Sequence, residues 1–228
     1  MKPNDYYGKL HERTKDWSAH AAEPGFAPVA LLIQAAAKYL KHGKALLDIG
    51  CQGGHQTALL RKNFSEAVGV DIAPYHAMWG LHSGIQFLVH DIDAGPLPFP
   101  NGYFTSVVCT NVLEHVFDVF GLVREISRLL ETGGTALIEV PNGGHWKHRL
   151  SLLFGGVPRT GASHYPFNEE DGWDGQHLHL FTNRELRWLV GYCGLRVDHV
   201  CVAGRFTALK NLMPSILNTS LIFVCSKK

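Results

Sequence analysis

The sequence has no excess of charge of either sign. Its 228 residues include 21 lysines and arginines and 20 aspartates and glutamates, which gives a formal net charge of +1. Proteins that bind nucleic acid through its phosphates carry a basic surface, often with a markedly basic isoelectric point. The balanced charge therefore argues against a nucleic-acid partner and favours a small molecule as the ligand.

The sequence also lacks paired cysteines and long apolar runs. The number of cysteines is odd and no C-x-x-C pair occurs, which argues against a disulfide framework and a zinc ribbon and fits a reducing compartment. No run approaches the ~20 apolar residues of a membrane span, and the polar start has no signal-peptide core. We therefore expect a cytoplasmic protein without a membrane span. The cysteines are Cys51, Cys109, Cys193, Cys201 and Cys225.

What the chain does have is a regular alternation of strand-like and helix-like segments. The strands read as continuous apolar runs, which is typical of a parallel sheet covered on both faces. Together with the intervening helices they predict a doubly wound, Rossmann-like α/β fold. Strands are predicted at 44–50, 66–72, 85–91, 103–111, 133–142, 195–202 and 220–226, and helices at 27–43, 55–63, 74–82, 117–131 and 182–193.

The domain organisation follows from where this alternation starts and lapses. Residues 1–43 form a lead-in that ends in a predicted helix capped by Gly43, and residues 44–228 form one domain. Within that domain, residues 143–181 show no clear periodicity but contain several aromatic residues and five histidines. Long segments of this kind are commonly functional lids. We therefore predict a lid insertion after the fifth strand.

The stretch "LLDIGCQGG" (46–54) predicts a glycine-rich turn between the first strand and the next helix. A dinucleotide fingerprint requires G-x-G-x-x-G, but Gln52 and His55 follow Gly50 where the second and third glycines belong. The G-K-[ST] of a phosphate-binding P-loop is absent as well. Asp48 would repel a pyrophosphate over this turn and would favour a cationic ligand.

Two further acids extend this pattern along the sheet. Asp71 ends the second predicted strand and Asp91 ends the third. With Asp48 they place three carboxylates at the carboxyl ends of neighbouring strands, where open α/β sheets bind ligands. Such a row can hold an ammonium group, a ribose diol and an adenine amino group. S-Adenosylmethionine offers all three, carries a cationic sulfonium and has no phosphate. Asp93 is interpreted as a loop or capping residue.

The sequence resembles class I S-adenosylmethionine-dependent methyltransferases of the type 11 and type 23 groups. The matching stretches are "LLDIGCQGG" (46–54), "GVDIAP" (69–74), "DIDAGPLPFPNGYFTSVVCTNVLEHV" (91–116), "LVREISRLLETGGTALIEVPN" (122–142) and "HLHLFTNRELRWLVGYCGLRV" (177–197). The resemblance implies a seven-stranded, mostly parallel sheet whose last strand, 220–226, is antiparallel.

The resemblance also implies a cofactor site. Asp48 and the Gly50 backbone would face the methionine moiety, Asp71 would hold the ribose hydroxyls, and Asp91 would accept from the adenine amino group. Gln52 stands where the family usually has glycine, so its side chain must point away from the cofactor or touch it. The expected site comprises Asp48, Gly50, Gln52, Gly54, Asp71, Ile72, Asp91, Ile92 and Asn111.

Histidines are the candidates for a catalytic base. A hydroxyl acceptor must lose a proton during methyl transfer, and histidine suits that role near neutral pH. His115 follows the fourth strand in "NVLEHV", where the sequence favours a structural role over a catalytic one. His177 and His179 are two residues apart and would face one side of an extended segment. These three residues favour an oxygen acceptor on a small molecule.

Other readings of the sequence remain open. His177 and His179 with acids in 169–174 offer metal-ligand chemistry, but no cysteine pair or H-E-x-x-H supports a metal, and none is expected. A cofactor-binding protein without turnover, or a partner subunit of another enzyme, would show the same binding residues. A NAD-linked oxidoreductase is disfavoured by the failed fingerprint. The acceptor and the oligomeric state are not determined by the sequence.

Overall fold

The computed structural model describes residues 38–74, 84–161, 177–202 and 207–228. The predicted helix at 74–82 lies almost wholly outside these ranges. So do residues 1–37, with most of the first predicted helix, and the central part of the predicted lid. The core of the domain and the edge of the sheet that carries the predicted site lie within them.

Seven strands form one sheet in the order β3-β2-β1-β4-β5-β7-β6. The first five pair in parallel, whereas β7 pairs antiparallel with both β5 and β6. This topology confirms the predicted seven-stranded Rossmann-like sheet with its antiparallel last strand. The strands are β1 (Gly43–Ile49), β2 (Phe64–Asp71), β3 (Gln86–Val89), β4 (Phe104–Thr110), β5 (Leu130–Pro141), β6 (Leu195–Cys201) and β7 (Ser220–Lys227).

Six α-helices connect or flank these strands within the described ranges. The helix α2 begins after Asp118, whose carboxylate accepts the backbone N–H of Gly121 at 2.8 Å and so caps the helix. It buries side chains at helical spacing against the sheet. The helices are α1 (His55–Leu60), which continues into a 3-10 turn, α2 (Val119–Leu129), α3 (Trp146–Leu153), α4 (Asn183–Tyr192), α5 (Thr207–Leu212) and α6 (Pro214–Leu217).

The core explains why the central strands read as continuous apolar runs. In β5, Ala136, Ile138 and Val140 join the cluster on the face that carries α2 and α4, while Leu137 points into the cluster on the other face. All seven residues of β4 are buried in the same two-sided way. Each fully buried Leu or Ile side chain contributes about 2 kcal/mol to stability. Alternate side chains therefore fill both faces of the sheet.

The helix predicted to run through 27–43 does not reach Gly43. Residues 38–42 form a turn, and Gly43 is the first residue of β1, paired with Phe64 of β2. Glycine suits this position in the strand, because a Cβ there would lie 2.8 Å from the Thr105 side chain of β4. The close packing of two strands thus overrides a plausible helix-end signal.

The base of the predicted lid is joined to the sheet. Asn142 and Phe181 form an isolated parallel bridge, and Gly143 donates its N–H to the Phe181 carbonyl at 2.8 Å. Helix α3 occupies part of this insertion, which the sequence did not predict. Among the described residues no helix combines the length and apolar character needed to cross a bilayer.

Candidate active site

The turn after β1 is held against β2 by backbone hydrogen bonds. The N–H groups of Gly50 and Cys51 both donate to the Val70 carbonyl, at 2.8 and 3.0 Å. Gly50 has φ +76° and Gly54 has φ +82°, a left-handed conformation that glycine adopts without steric cost. These two glycines therefore let the chain turn sharply at the end of β1.

Asp71 connects this turn to the end of β2. Its carboxylate accepts the Gln52 N–H at 2.8 Å and the Ala73 N–H at 3.0 Å. Gln52 adopts a left-handed φ of +45°, and its side chain is exposed. That conformation accounts for the family's preference for glycine at this position. The Asp71 carboxylate thus lies beside the turn, and Asp71 is the last residue of β2, as the sequence predicted.

Asp48 is fully buried beneath the turn. Its carboxylate accepts hydrogen bonds from the Thr57 hydroxyl at 2.7 Å and from the Gln56 side-chain amide at 3.2 Å. The Gln56 amide also lies 3.2 Å from the Thr110 hydroxyl. Burial raises the pKa of Asp48 to about 7, and the charge of Asp71 adds to this, whereas the two side-chain hydrogen bonds oppose it. Sequence reasoning missed Gln56 and Thr57, whose only signal is polarity in the first turn of α1.

The loop after β3 carries the third acid of the row. Asp91 and Ile92 are half-buried, and the Asp91 carboxylate accepts the Asp93 N–H at 3.0 Å. The exposed Asp93 carboxylate in turn accepts the N–H groups of Phe117 and Asp118, which tethers this loop to the start of α2. Asp93 therefore caps backbone groups, while Asp91 lies nearer the sheet edge. Ile72, half-buried, follows directly after Asp71.

Asn111 marks the end of β4. It has φ +53°, a conformation that asparagine tolerates better than most residues, and its N–H donates to the Glu139 carbonyl at 3.0 Å. Its side chain is exposed at the same edge as Asp48 and the glycine turn. Asn111 is thus positioned at the start of the loop that contains the first candidate base.

The three candidate histidines do not share one environment. The rings of His115 and His177 are in edge-to-face contact, with centroids 4.8 Å apart, and Nδ1 of His177 lies 2.8 Å from the Thr160 hydroxyl. His179 instead places Nε2 2.9 Å from the Val116 carbonyl. Residues 177–180 are not a strand, so the alternation expected from the sequence does not govern where these side chains lie.

Two buried glutamates lie under this end of the sheet. Burial raises the pKa of Glu114 to about 8, with a further contribution from the charge of Glu139. Burial likewise raises the pKa of Glu139 to about 7. Sequence reasoning missed the burial of Glu114, because a single glutamate in a loop carries no signal of it.

The raised pKa of Asp48 predicts a pH dependence of cofactor binding. A cationic ligand prefers the ionised carboxylate, so affinity for S-adenosylmethionine is expected to rise about tenfold between pH 5.5 and 7, below the pKa of about 7. Binding should release a proton in that range. Calorimetry in buffers of different ionisation enthalpy measures both effects. The Asp48→Asn variant should show a flat profile, and a slope that persists in it would assign the proton to another group.

Comparison with known proteins assigns the chain to a family. Residues 21–200 match the family model described as a methyltransferase domain. The chain belongs to this family of methyltransferases. The ubiquinone biosynthesis O-methyltransferase of Xanthomonas campestris is 29% identical over 113 residues, which are 47% of this chain and 47% of that protein. The match thus spans about half the length of such curated relatives.

Solved structures show the same fold. An S-adenosylmethionine-dependent methyltransferase from Thermotoga maritima gives a TM-score of 0.66 at 16% identity and covers 97% of this chain and 99% of its own. The Burkholderia thailandensis 1,6-didemethyltoxoflavin-N1-methyltransferase, solved with S-adenosylhomocysteine, gives a TM-score of 0.62 at 16% identity. The match covers 100% of this chain and 92% of that protein. At such identities the likeness shows the fold alone. Together with the family match, these findings confirm the predicted class I methyltransferase fold and S-adenosylmethionine as its cofactor.

Proposed function

We propose that this methyltransferase moves the methyl group of S-adenosylmethionine to an oxygen atom of a small molecule by in-line displacement. The observation that carries the proposal is that Asp48 and Asp71 lie at the ends of β1 and β2 and Asp91 in the loop just after β3, with His115 and His177 beyond the end of β4 at the same edge. The carboxylates suit a cationic adenosyl ligand. The histidines suit an acceptor that must lose a proton.

The proposed cofactor contacts follow from the positions of these acids. Asp71, beside the glycine turn, would accept hydrogen bonds from the ribose hydroxyls, because each carboxylate oxygen can accept more than one hydrogen bond. Asp91 would accept from the adenine amino group beside Ile92. Asp48 would provide the negative charge that balances the methionine ammonium and the sulfonium, with Asn111 nearby. Gly50, Gln52 and Gly54 would supply the backbone that the cofactor approaches.

The oxygen acceptor is supported by two independent features. The curated relatives, which match over somewhat less than half of their length, are named as O-methyltransferases of ubiquinone biosynthesis. In the structure, His115 and His177 are half-buried, and an imidazole can take the proton of a phenol or alcohol near neutral pH. The balanced net charge of +1 supports a small molecule rather than a nucleic acid as acceptor.

A methyl-transfer screen tests the proposal. The protein is incubated with cofactor labelled in its methyl group and with panels of phenols, sugars, amines and lipids, and the products are identified by mass spectrometry. Label is expected on a hydroxyl oxygen of at least one phenol or alcohol. Label found only on nitrogen would contradict the oxygen assignment. Binding of S-adenosylhomocysteine without transfer to any acceptor would favour a silent binding subunit.

Substitution of the histidines separates their roles. His177→Ala and His115→Ala are expected to lower kcat by about 10²–10⁴, the usual contribution of general-base catalysis. The affinity for S-adenosylhomocysteine should stay unchanged. His199→Ala, in β6 at the far edge of the sheet, is the matched control and should retain full kcat. Equal activity of all three variants would exclude the histidine pair from the chemistry.

A further inference from the structure

The loop after β4 and the segment after the lid are joined at Glu114. The Glu114 carbonyl accepts the N–H of Leu178 at 2.7 Å and that of His179 at 3.3 Å, and the His179 ring reaches the Val116 carbonyl. These bonds join segments that lie about 60 residues apart in the chain. As a result His177 is held beside Glu114 and His115.

The three side chains converge on one point. A carboxylate oxygen of Glu114 and one ring nitrogen each of His115 and His177 all lie within 4.8 Å of one another. Metal ligands around a tetrahedral Zn²⁺ with bonds of about 2.1 Å lie about 3.4 Å apart, so shifts of about 1 Å in the side chains would close the set around an ion. The spacing is therefore that of a loosely preformed ligand set.

Glu114 gives an independent reason to place a cation here. The residue is only 1% exposed, and neither of its carboxylate oxygens accepts a hydrogen bond from any other residue that the structure describes. A buried polar group without a partner is costly, and a buried carboxylate more so. An ion bound between Glu114 and the two imidazoles would satisfy it.

We propose that Glu114, His115 and His177 bind a divalent transition-metal ion, with an open coordination position for the oxygen of the methyl acceptor. Two imidazoles and one carboxylate are a donor set that Zn²⁺ and Fe²⁺ use in sites with open positions, whereas Mg²⁺ and Ca²⁺ prefer oxygen ligands alone. The hydrogen bond between His177 Nδ1 and Thr160 would orient the ring so that Nε2 serves as the ligand.

The site deepens the proposed oxygen methylation and rests on it. An acceptor hydroxyl at the open position would lose its proton to solvent at a lower pH than in water, because the cation stabilises the anion. The oxygen then forms a bond to the methyl carbon while the carbon–sulfur bond breaks, and the electron pair stays on the sulfur of S-adenosylhomocysteine. In this arrangement His115 and His177 act on the acceptor as ligands of the ion, and this role replaces that of a direct general base.

Metal binding is tested without any acceptor. The full chain, stripped with chelator, is titrated with Zn²⁺ by calorimetry and with Co²⁺ by visible absorption, which reports the ligand geometry. We expect one ion per chain. Glu114→Gln, which keeps the side-chain shape, and His177→Ala should each lower the affinity at least about 100-fold, while His199→Ala should bind as the parent does.

The outcomes keep this inference apart from the proposed function. Equal Zn²⁺ affinity in the parent and in both ligand variants, or absence of binding by the parent, would overturn the metal site. Methyl transfer to oxygen by stripped protein in chelator would also overturn its catalytic role and leave the methyltransferase function intact. Metal binding together with transfer only to nitrogen would keep the site and reject the oxygen acceptor.

Discussion

Replacing Asp71 by asparagine is expected to lower the affinity for S-adenosylhomocysteine at least about 100-fold. A carboxylate that accepts from two ribose hydroxyls makes charge-assisted hydrogen bonds of about 1.5–3 kcal/mol each, and a loss of about 3 kcal/mol corresponds to about 100-fold. The variant also weakens the contact with the Gln52 N–H that holds the glycine turn. Isothermal titration calorimetry of the parent and the variant measures the change directly.

The same substitution elsewhere in the sheet provides the control. Asp198 lies in β6 at the opposite edge and pairs with Arg196 at 2.7 Å, so Asp198→Asn should bind the ligand with parental affinity. Asp91→Asn should show a smaller loss, because in the proposed binding mode it removes one acceptor for the adenine amino group. If a folded Asp71→Asn protein binds S-adenosylhomocysteine as tightly as the parent, the ribose assignment is wrong.

Gly50→Ala is expected to lower the free energy of unfolding by about 3 kcal/mol. The left-handed conformation at φ +76° costs a residue with a Cβ about 1–2 kcal/mol. In addition, the new Cβ would lie only 2.2 Å from Val112 Cγ2, so the loop after β4 must move. Overpacking of this kind costs about 1–3 kcal/mol. Urea denaturation followed by circular dichroism measures the difference between the variant and the parent.

A second glycine tests whether this loss arises from strain. Gly191 lies near the end of α4 with ordinary helical geometry, and a Cβ added there would meet no atom of the described residues within 4 Å beyond its own helix backbone and chain neighbours. Gly191→Ala should therefore be neutral or stabilise the protein by up to about 1 kcal/mol. A Gly50→Ala protein as stable as Gly191→Ala would mean that the turn can relax and that the close contact with Val112 is not maintained.

The edge of the sheet that carries Asp48, Asp71 and Asp91 could be predicted from the sequence because its signals are local. A buried strand appears as an apolar run, and the polar residue that ends it marks the sheet edge, so Asp48, Asp71 and Asp91 could be placed on neighbouring strands from the sequence alone. The number of strands and the antiparallel β7 came from resemblance to the family, and the sheet confirms both.

The histidine cluster could not be predicted in the same way. His177 and His179 were expected to face one side because of strand alternation, but residues 177–180 follow the Glu114 carbonyl instead of a neighbouring strand. His177 therefore contacts His115, while His179 contacts the Val116 carbonyl. The hydrogen bonds from Gln56 and Thr57 to the Asp48 carboxylate could not be predicted either, because they depend on where α1 packs.

The sequence by itself determined the α/β class, the approximate positions of the strands and the type of ligand, because periodicity and charge near strand termini are properties of short segments. The exact ends differ: the third strand was predicted to end at Asp91, but β3 ends at Val89. Only the tertiary structure decided that the Glu114 carboxylate is buried without a hydrogen bond from any other described residue and that His115 and His177 lie beside it. That arrangement depends on backbone hydrogen bonds between distant segments, and no local pattern encodes such contacts.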